Sequence, residues 1–189
     1  AAGCEIIRSA VPDMRAAEVL KDIIGSIKIP LIADIHFDYK LALASIKSGV
    51  HGIRINPGNI GASERVKAVA EAAAEAGIPI RIGVNGGSLP AKQLEKLRNS
   101  GNIPPDEAVA EAIVNTAIEE CAVLESFGFR NIKVSLKSSR VPVTVEACRR
   151  FAERTDYPLH LGVTEAGTLV PGLIKSSLGI GVLLMDGIG

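Results

Sequence analysis

Short apolar runs of four to seven residues alternate along the chain with longer amphipathic stretches. Runs at 5–11, 30–35, 52–55, 80–84, 131–136 and 159–163 are too short for helices and rich in Ile, Val and Leu, so they predict strands. Stretches at 14–25, 39–48, 63–76, 106–127, 144–154 and 169–178 carry apolar residues at helical spacing and predict helices. Ser63 opens one helix and Ala76-Gly77 closes it. Pro105-Asp106-Glu107 opens another, with acids in the first turn where the helix dipole favours them. Strict alternation of strand and helix predicts parallel strands joined by right-handed crossovers. No linker or low-complexity run interrupts it.

The strands are not uniformly apolar, as strands of an open doubly wound sheet usually are. Side chains alternate sides along a strand. In Asn131-Ile-Lys-Val-Ser-Leu-Lys137, Lys133, Ser135 and Lys137 therefore share one face, and Val134 and Leu136 the other. Asp34 and His36 flank Ile35. Arg54 and Asn56 alternate with Ile53 and Ile55, and Arg81, Gly83 and Asn85 with Ile82 and Val84. Ile6, Arg8 and Ala10 oppose Ile7 and Val11. One apolar face suits a coat of helices. The polar face gathers around one axis only if the sheet curls, so the expected fold is α/β, a (β/α)8 TIM-type barrel. A complete barrel needs about 250 residues. At 189 residues, this one is expected to be incomplete, with about six βα units and the first and last strands missing. Residues 1–189 are expected to form one partial barrel domain, a fragment of a longer protein.

Composition narrows the chemistry. Lys plus Arg and Asp plus Glu are 21 each, a balance that argues against a nucleic-acid partner. No stretch reaches ~18 uninterrupted apolar residues, so no membrane partner is expected. Cys4, Cys121 and Cys148 are far apart and odd in number. That fits a reducing cytosol rather than a disulfide frame, and without a CxxC pair no metal site is expected in this chain.

Polar strand ends of a barrel meet at its C-terminal mouth. Five cations stand there, Arg8, Arg54, Arg81, Lys133 and Lys137, against the acids Asp34 and Glu165. Burying unpaired charge is unfavourable, and a multiply charged anion would relieve it. Arg takes phosphate in a bidentate way and Lys as a point charge, so a diphosphate is the expected ligand. Singly, each cation could equally pair with a loop acid or snorkel outward. Asn56, Asn59, Asn85, Ser135 and Thr164 add neutral donors and acceptors. Gly-rich turns at 56–61, 85–88 and 165–167 allow close backbone approach, although turns use Gly and Asn for conformational reasons too. No GxGxxG or Walker pattern supports a nucleotide site. Asp34-Ile-His36-Phe-Asp38 invites a metal reading, but two residues do not make a site. Hydrogen bonding to substrate hydroxyls, or proton transfer by His36, fits better. Glu165 is either a salt-bridged carboxylate or a general acid/base. His51 is expected to be structural and His160 to be a satisfied core histidine. The 86–105 connection, with a short helix near 89–98, would be a lid over the mouth or a surface excursion.

Five motifs carry a family resemblance: Ala33-Asp-Ile-His-Phe-Asp38, Arg54-Ile-Asn-Pro-Gly-Asn-Ile-Gly61, Pro79-Ile-Arg-Ile-Gly-Val-Asn85, Lys133-Val-Ser135 and Gly162-Val-Thr-Glu-Ala-Gly167. In this order, across essentially the whole chain, they resemble the barrel domain of the 4-hydroxy-3-methylbut-2-enyl diphosphate synthase family. The resemblance implies an oxidoreductase of the non-mevalonate isoprenoid route. It would open the ring of 2-C-methyl-D-erythritol 2,4-cyclodiphosphate and reductively remove a hydroxyl. It implies a 4Fe-4S cluster held by three Cys and a Glu of a C-terminal domain absent from this chain. It further implies flavodoxin or ferredoxin as electron donor, and a homodimer in which one chain's cluster domain caps the other's barrel. Arg8, Arg54, Arg81, Asn85 and Lys133 would bind the diphosphate. Asp34, His36 and Glu165 would be catalytic, near the sugar-derived carbons, and Asn56, Ser135, Lys137 and Thr164 would complete substrate binding. This segment alone would be inactive. The alternatives are a non-redox diphosphate-ester barrel of the dihydropteroate synthase class, and a non-catalytic binding domain.

Overall fold

The structure is a computed structural model that describes residues 3–89, 95 and 104–189. The five strands are β1 (Ile7–Ala10), β2 (Leu31–Asp34), β3 (Gly52–Ile55), β4 (Ile80–Asn85) and β5 (Ile132–Lys137). They lie in one sheet in the order of the chain. Each crossover thus advances one place in the same direction. A doubly wound sheet instead reverses direction at a switch point, so the sequential order is the one a barrel uses.

The chain divides into two compact units, Ala1–Ile82 with Glu120–Ile132, and Gly83–Glu119 with Lys133–Gly189. In the first, β1 pairs with β2, β2 with β3 and β3 with β4, all parallel. Leu31, Ala33, Ile35, Ile53, Ile55, Ile80 and Ile82 are buried, as the period of two predicts. Ile7 is 42% exposed, so the apolar side of β1 is only partly covered. Helices α1 (Met14–Ser26), α2 (Tyr39–Lys47), α3 (Pro57–Ile60) and α4 (Ser63–Glu75) also belong to this unit. Asp13 and Asp38 cap α1 and α2, accepting from the amides of Ala16 and Lys40 at 2.8 and 2.9 Å. Asp38, part of the motif that invites a metal reading, thus has a conformational task. Ser48 Oγ donates to the Ala17 carbonyl at 2.9 Å and ties α2 to α1. His51 is structural as expected, its Nδ1 accepting from the Leu31 amide at 3.2 Å.

The second unit holds most of α5 (Pro105–Ser126), nearly all of β5, α6 (Val141–Ala152) and α7 (Leu169–Met185). Its core includes Ile113, Val134, Leu136, Cys148 and Phe151. Two expectations fail here. The sixth strand reduces to one bridge, Val134 to Leu159. The bridge is made by Val134 N donating to Pro158 O at 3.0 Å and His160 N to Val134 O at 2.7 Å, and the next bond, Thr164 N to Ser138 O at 3.3 Å, comes four residues further on. The last two bonds flank Gly162 and are too widely spaced for a ladder, which needs a bond at every second residue. His160 is exposed rather than a core histidine, because the strand that would have buried it does not form. The helix expected over 169–178 continues to Met185. Gly179 and Gly181 look like a stop, yet a Cβ on Gly179 would stand 2.8 Å from Val163 Cγ2. The glycine serves close packing instead of ending the helix. The short helix expected near 89–98 lies outside the described residues except at Leu89 and Glu95.

Candidate functional site

In the first unit the strand register builds a row of charge. Asp34 of β2 stands opposite Arg54 of β3, and Arg54 stands opposite Arg81 of β4. Arg8 of β1 pairs with Ile32, two residues before Asp34 on the same face. The Asp34 carboxylate is 6% exposed. Its Oδ2 accepts from Arg8 at 2.5 Å and its Oδ1 from Arg54 at 3.2 Å. His36 Nε2 lies 4.0 Å from Oδ2, and the ring is half exposed. Arg81 is 9% exposed, and its Nε has no hydrogen-bond partner among the described residues. Burial lowers the Arg81 pKa to about 10, helped by the positive charges of Arg8 and Arg54 and only partly countered by Asp34. Like charges directly opposite in a sheet repel. The row thus brings three guanidinium groups together on one strand face, a concentration of positive charge that suits an anion.

The turn after β3 closes the row. Asn56 caps α3 by accepting from the Asn59 amide at 3.2 Å, and Pro57 occupies the first turn. The 56–61 segment, expected as a Gly-rich turn, is thus a one-turn helix ending in Gly61 at φ 95°. Glu120, from the end of α5 that packs in this unit, was not foreseen. It is 7% exposed, and a Cβ on Gly58 would lie 3.2 Å from Asn56 Oδ1 and 3.5 Å from Glu120 Oε1. A signal was available. Glu120 follows Ile113 and Ala117 at helical spacing and precedes Leu124, all buried, so it stands on the apolar stripe where a carboxylate needs a reason.

The second unit holds Asn85, Lys133, Ser135, Lys137, Thr164 and Glu165. Ser135 is buried, and Lys133, Lys137, Asn85 and Thr164 are half-buried. Lys137 crosses the 162 backbone so closely that a Cβ on Gly162 would lie 2.9 Å from Nζ. Glu165 has φ 50°, the single positive φ outside glycine among the described residues. Such a conformation is strained for a residue with a Cβ and persists where its surroundings impose it.

Among the described residues no three His, Cys, Asp or Glu come together as a metal site. Burial raises the Cys121 and Cys148 thiols to about 12, far from the thiolate that a metal needs. These residues do not fit an iron–sulfur cluster. No helix among the described residues is long and apolar enough to cross a membrane.

Residues 1–189 match the GcpE TIM-barrel domain from end to end. The chain belongs to the GcpE TIM-barrel family. Over 187 residues it is 56% identical to the 4-hydroxy-3-methylbut-2-en-1-yl diphosphate synthase (flavodoxin) of Caldanaerobacter subterraneus subsp. tengcongensis, covering 99% of this chain and 50% of that protein. It is 54% identical over 189 residues to the enzyme of the same name from Geobacter sulfurreducens, covering 100% of this chain and 51% of that protein. This GcpE domain thus spans about half the length of the curated relatives it matches. Among solved structures it is similar to a Clostridium difficile dihydropteroate synthase, with TM-score 0.62 and 18% identity over 98% of this chain and 74% of that one. It is also similar to a Yersinia pestis dihydropteroate synthase, with TM-score 0.57 and 16% identity over 96% and 70%. At such identities the likeness is one of fold, and it agrees with the barrel expected from strand periodicity.

Proposed function

We propose that this GcpE domain is the substrate-binding barrel of a 4-hydroxy-3-methylbut-2-enyl diphosphate synthase. The complete cytoplasmic enzyme would open the ring of 2-C-methyl-D-erythritol 2,4-cyclodiphosphate and reductively remove a hydroxyl, yielding 4-hydroxy-3-methylbut-2-enyl diphosphate. The observation that carries the reading is the Arg8–Asp34–Arg54–Arg81 row, three guanidinium groups on one strand face, with the Arg81 Nε–H unpartnered among the described residues. Three guanidinium groups supply the forked donors that phosphate oxygens match. Relatives 54–56% identical over the whole chain carry that enzyme name, whereas the dihydropteroate synthases share 16–18%. The redox reading therefore stands ahead of the non-redox one.

In this reading Asn56, Asn85, Lys133, Ser135, Lys137 and Thr164 complete the substrate site. Glu165 is the candidate general acid, its strained backbone holding the carboxylate in place. His36, beside Asp34, is a second candidate for proton transfer. The reduction draws its electrons from a 4Fe-4S cluster whose ligands lie outside this chain. Flavodoxin, named for the relatives, or ferredoxin would deliver them, and the complete enzyme would work as a homodimer.

Titrating the complete protein with the cyclodiphosphate tests the site. Arg81→Ala and Lys133→Ala are each expected to weaken binding at least tenfold, as losing a charge-assisted hydrogen bond does. Wild-type affinity in both variants would refute the assignment.

A further inference from the structure

We propose that Asp34 is a positioning residue: its carboxylate holds Arg8 and Arg54 in the geometry that receives the anion, and it takes no part in the reaction itself. The inference rests on the anion-site reading above, and it separates Asp34 from His36 and Glu165, with which the family resemblance groups it. Three observations carry it. Both oxygens are engaged, Oδ2 by Arg8 and Oδ1 by Arg54. The group is buried, with 8% of its side chain exposed, while the Arg8 side chain that it holds is 50% exposed. Its place is set by the sheet, since the β2–β3 register puts Asp34 opposite Arg54 and the β1–β2 register puts Arg8 one step along the same face. A carboxylate with both oxygens committed to guanidinium groups makes a good clamp. Arg side chains lose considerable rotamer freedom when a ligand fixes them. A clamp that orders them beforehand removes that loss from the binding step.

The two roles that Asp34 could have toward an anion predict opposite signs. As a mere negative charge near the site, it repels the ligand, and neutralising it should tighten binding. As a clamp, it should weaken binding when removed, even though the site becomes more positive. Arg8 reaches into solvent, where Coulomb repulsion is screened, so the ordering effect is expected to win.

The test is calorimetric titration of the complete protein with inorganic pyrophosphate, for wild type, Asp34→Asn and Asp34→Glu. Asp34→Asn is expected to bind roughly tenfold more weakly. Asp34→Glu keeps the charge but displaces it by one methylene, and it too is expected to bind more weakly. Equal or tighter binding in Asp34→Asn overturns the proposal. Should that variant not fold, wild-type affinity in Asp34→Glu overturns it equally. A crystal structure of each folded variant without ligand gives a readout that needs no binding. Arg8 and Arg54 are expected to shift or lose order, and unchanged positions for both count against the clamp. If wild type itself does not bind pyrophosphate, the diphosphate reading fails, and these arginine positions alone decide the role of Asp34.

Discussion

Among the described residues each unit holds a cluster of arginine and carboxylate, and their balance of charge is opposite. In the second unit Arg150 contacts Glu146, Glu111 and Glu107 at 2.6, 3.1 and 3.2 Å, and Arg154 contacts Glu111 at 2.8 Å. Here two arginines face three acids, and every charge has a partner. Hydrogen bonding to Glu146 raises the Arg150 pKa, and hydrogen bonding to Arg154 lowers that of Glu111. In the first unit Asp34 holds Arg8 and Arg54 while Arg81 stands opposite Arg54, and burial lowers the Arg81 pKa. The second unit's cluster is satisfied by the fold and reads as structural. The first unit's cluster gathers like charges and includes a buried Arg81 Nε–H unpartnered among the described residues. A count of charged residues treats the two alike, and what separates them is whether the local partners suffice.

The sharpest way to break this contrast is through Arg81. Replacing it with Met should reduce affinity of the complete protein for the cyclodiphosphate by roughly ten- to two-hundredfold, the range for a lost hydrogen bond to a charged group. The same change should leave thermal stability unchanged or higher, because it removes a buried charge whose Nε is unpaired. A fall in melting temperature of several degrees would place Arg81 among the structural ion pairs.

A pH series tests the same residue. Its folded pKa is lowered from 12.5 to about 10. Between those values the unfolded chain binds more protons, so stability gains with rising pH. Wild type should therefore become more stable relative to Arg81→Met as pH climbs from about 10 toward 12, measured by urea unfolding. Anion affinity should fall over the same range. A flat stability difference would mean that Arg81 is not desolvated as described.

The satisfied cluster should behave the other way. Arg150→Ala should lower stability by about 1 kcal/mol, less at high salt, and leave cyclodiphosphate binding untouched. Glu111 has a lowered folded pKa, so its contribution is present above its ordinary value of 4.5 and lost as pH falls through the folded value. Arg150→Ala should flatten that acid limb in urea titrations. Loss of substrate affinity in this variant would erase the distinction between the clusters.

The smallest expected effect on stability is at Glu165. Glycine relieves a left-handed residue of about 1 kcal/mol but loses roughly 0.5–1 kcal/mol through its extra freedom. Glu165→Gly should therefore change stability by a few tenths of a kcal/mol while abolishing turnover by the complete enzyme. Retained turnover would remove Glu165 from the reaction.

Much of this was legible along the chain. Period-two alternation placed Arg8, Asp34, Arg54 and Arg81 on one strand face, and five of the six expected strands form where the apolar runs lie. Locality limited the rest. Residues 159–163 have a strand-like composition, but strands exist through partners, and their bonds to β5 are too sparse for a ladder. Asp38 stood in the sequence only as the last residue of the Asp34–His36 motif until its bond to the Lys40 amide showed a helix cap. Glu120 looked like one helix charge among many until packing buried it beside the 56–60 turn.

Side-chain alternation and helical spacing are properties of neighbours along the chain. By itself the sequence therefore determined which residues are strands or helices and which cations share a face. Register is a property of residues far apart in sequence, and only the tertiary structure could set Arg54 opposite both Asp34 and Arg81. That placement turns a list of cations into an anion site. It commits the two oxygens of Asp34 to Arg8 and Arg54, and leaves the Nε–H of Arg81 unpartnered among the described residues.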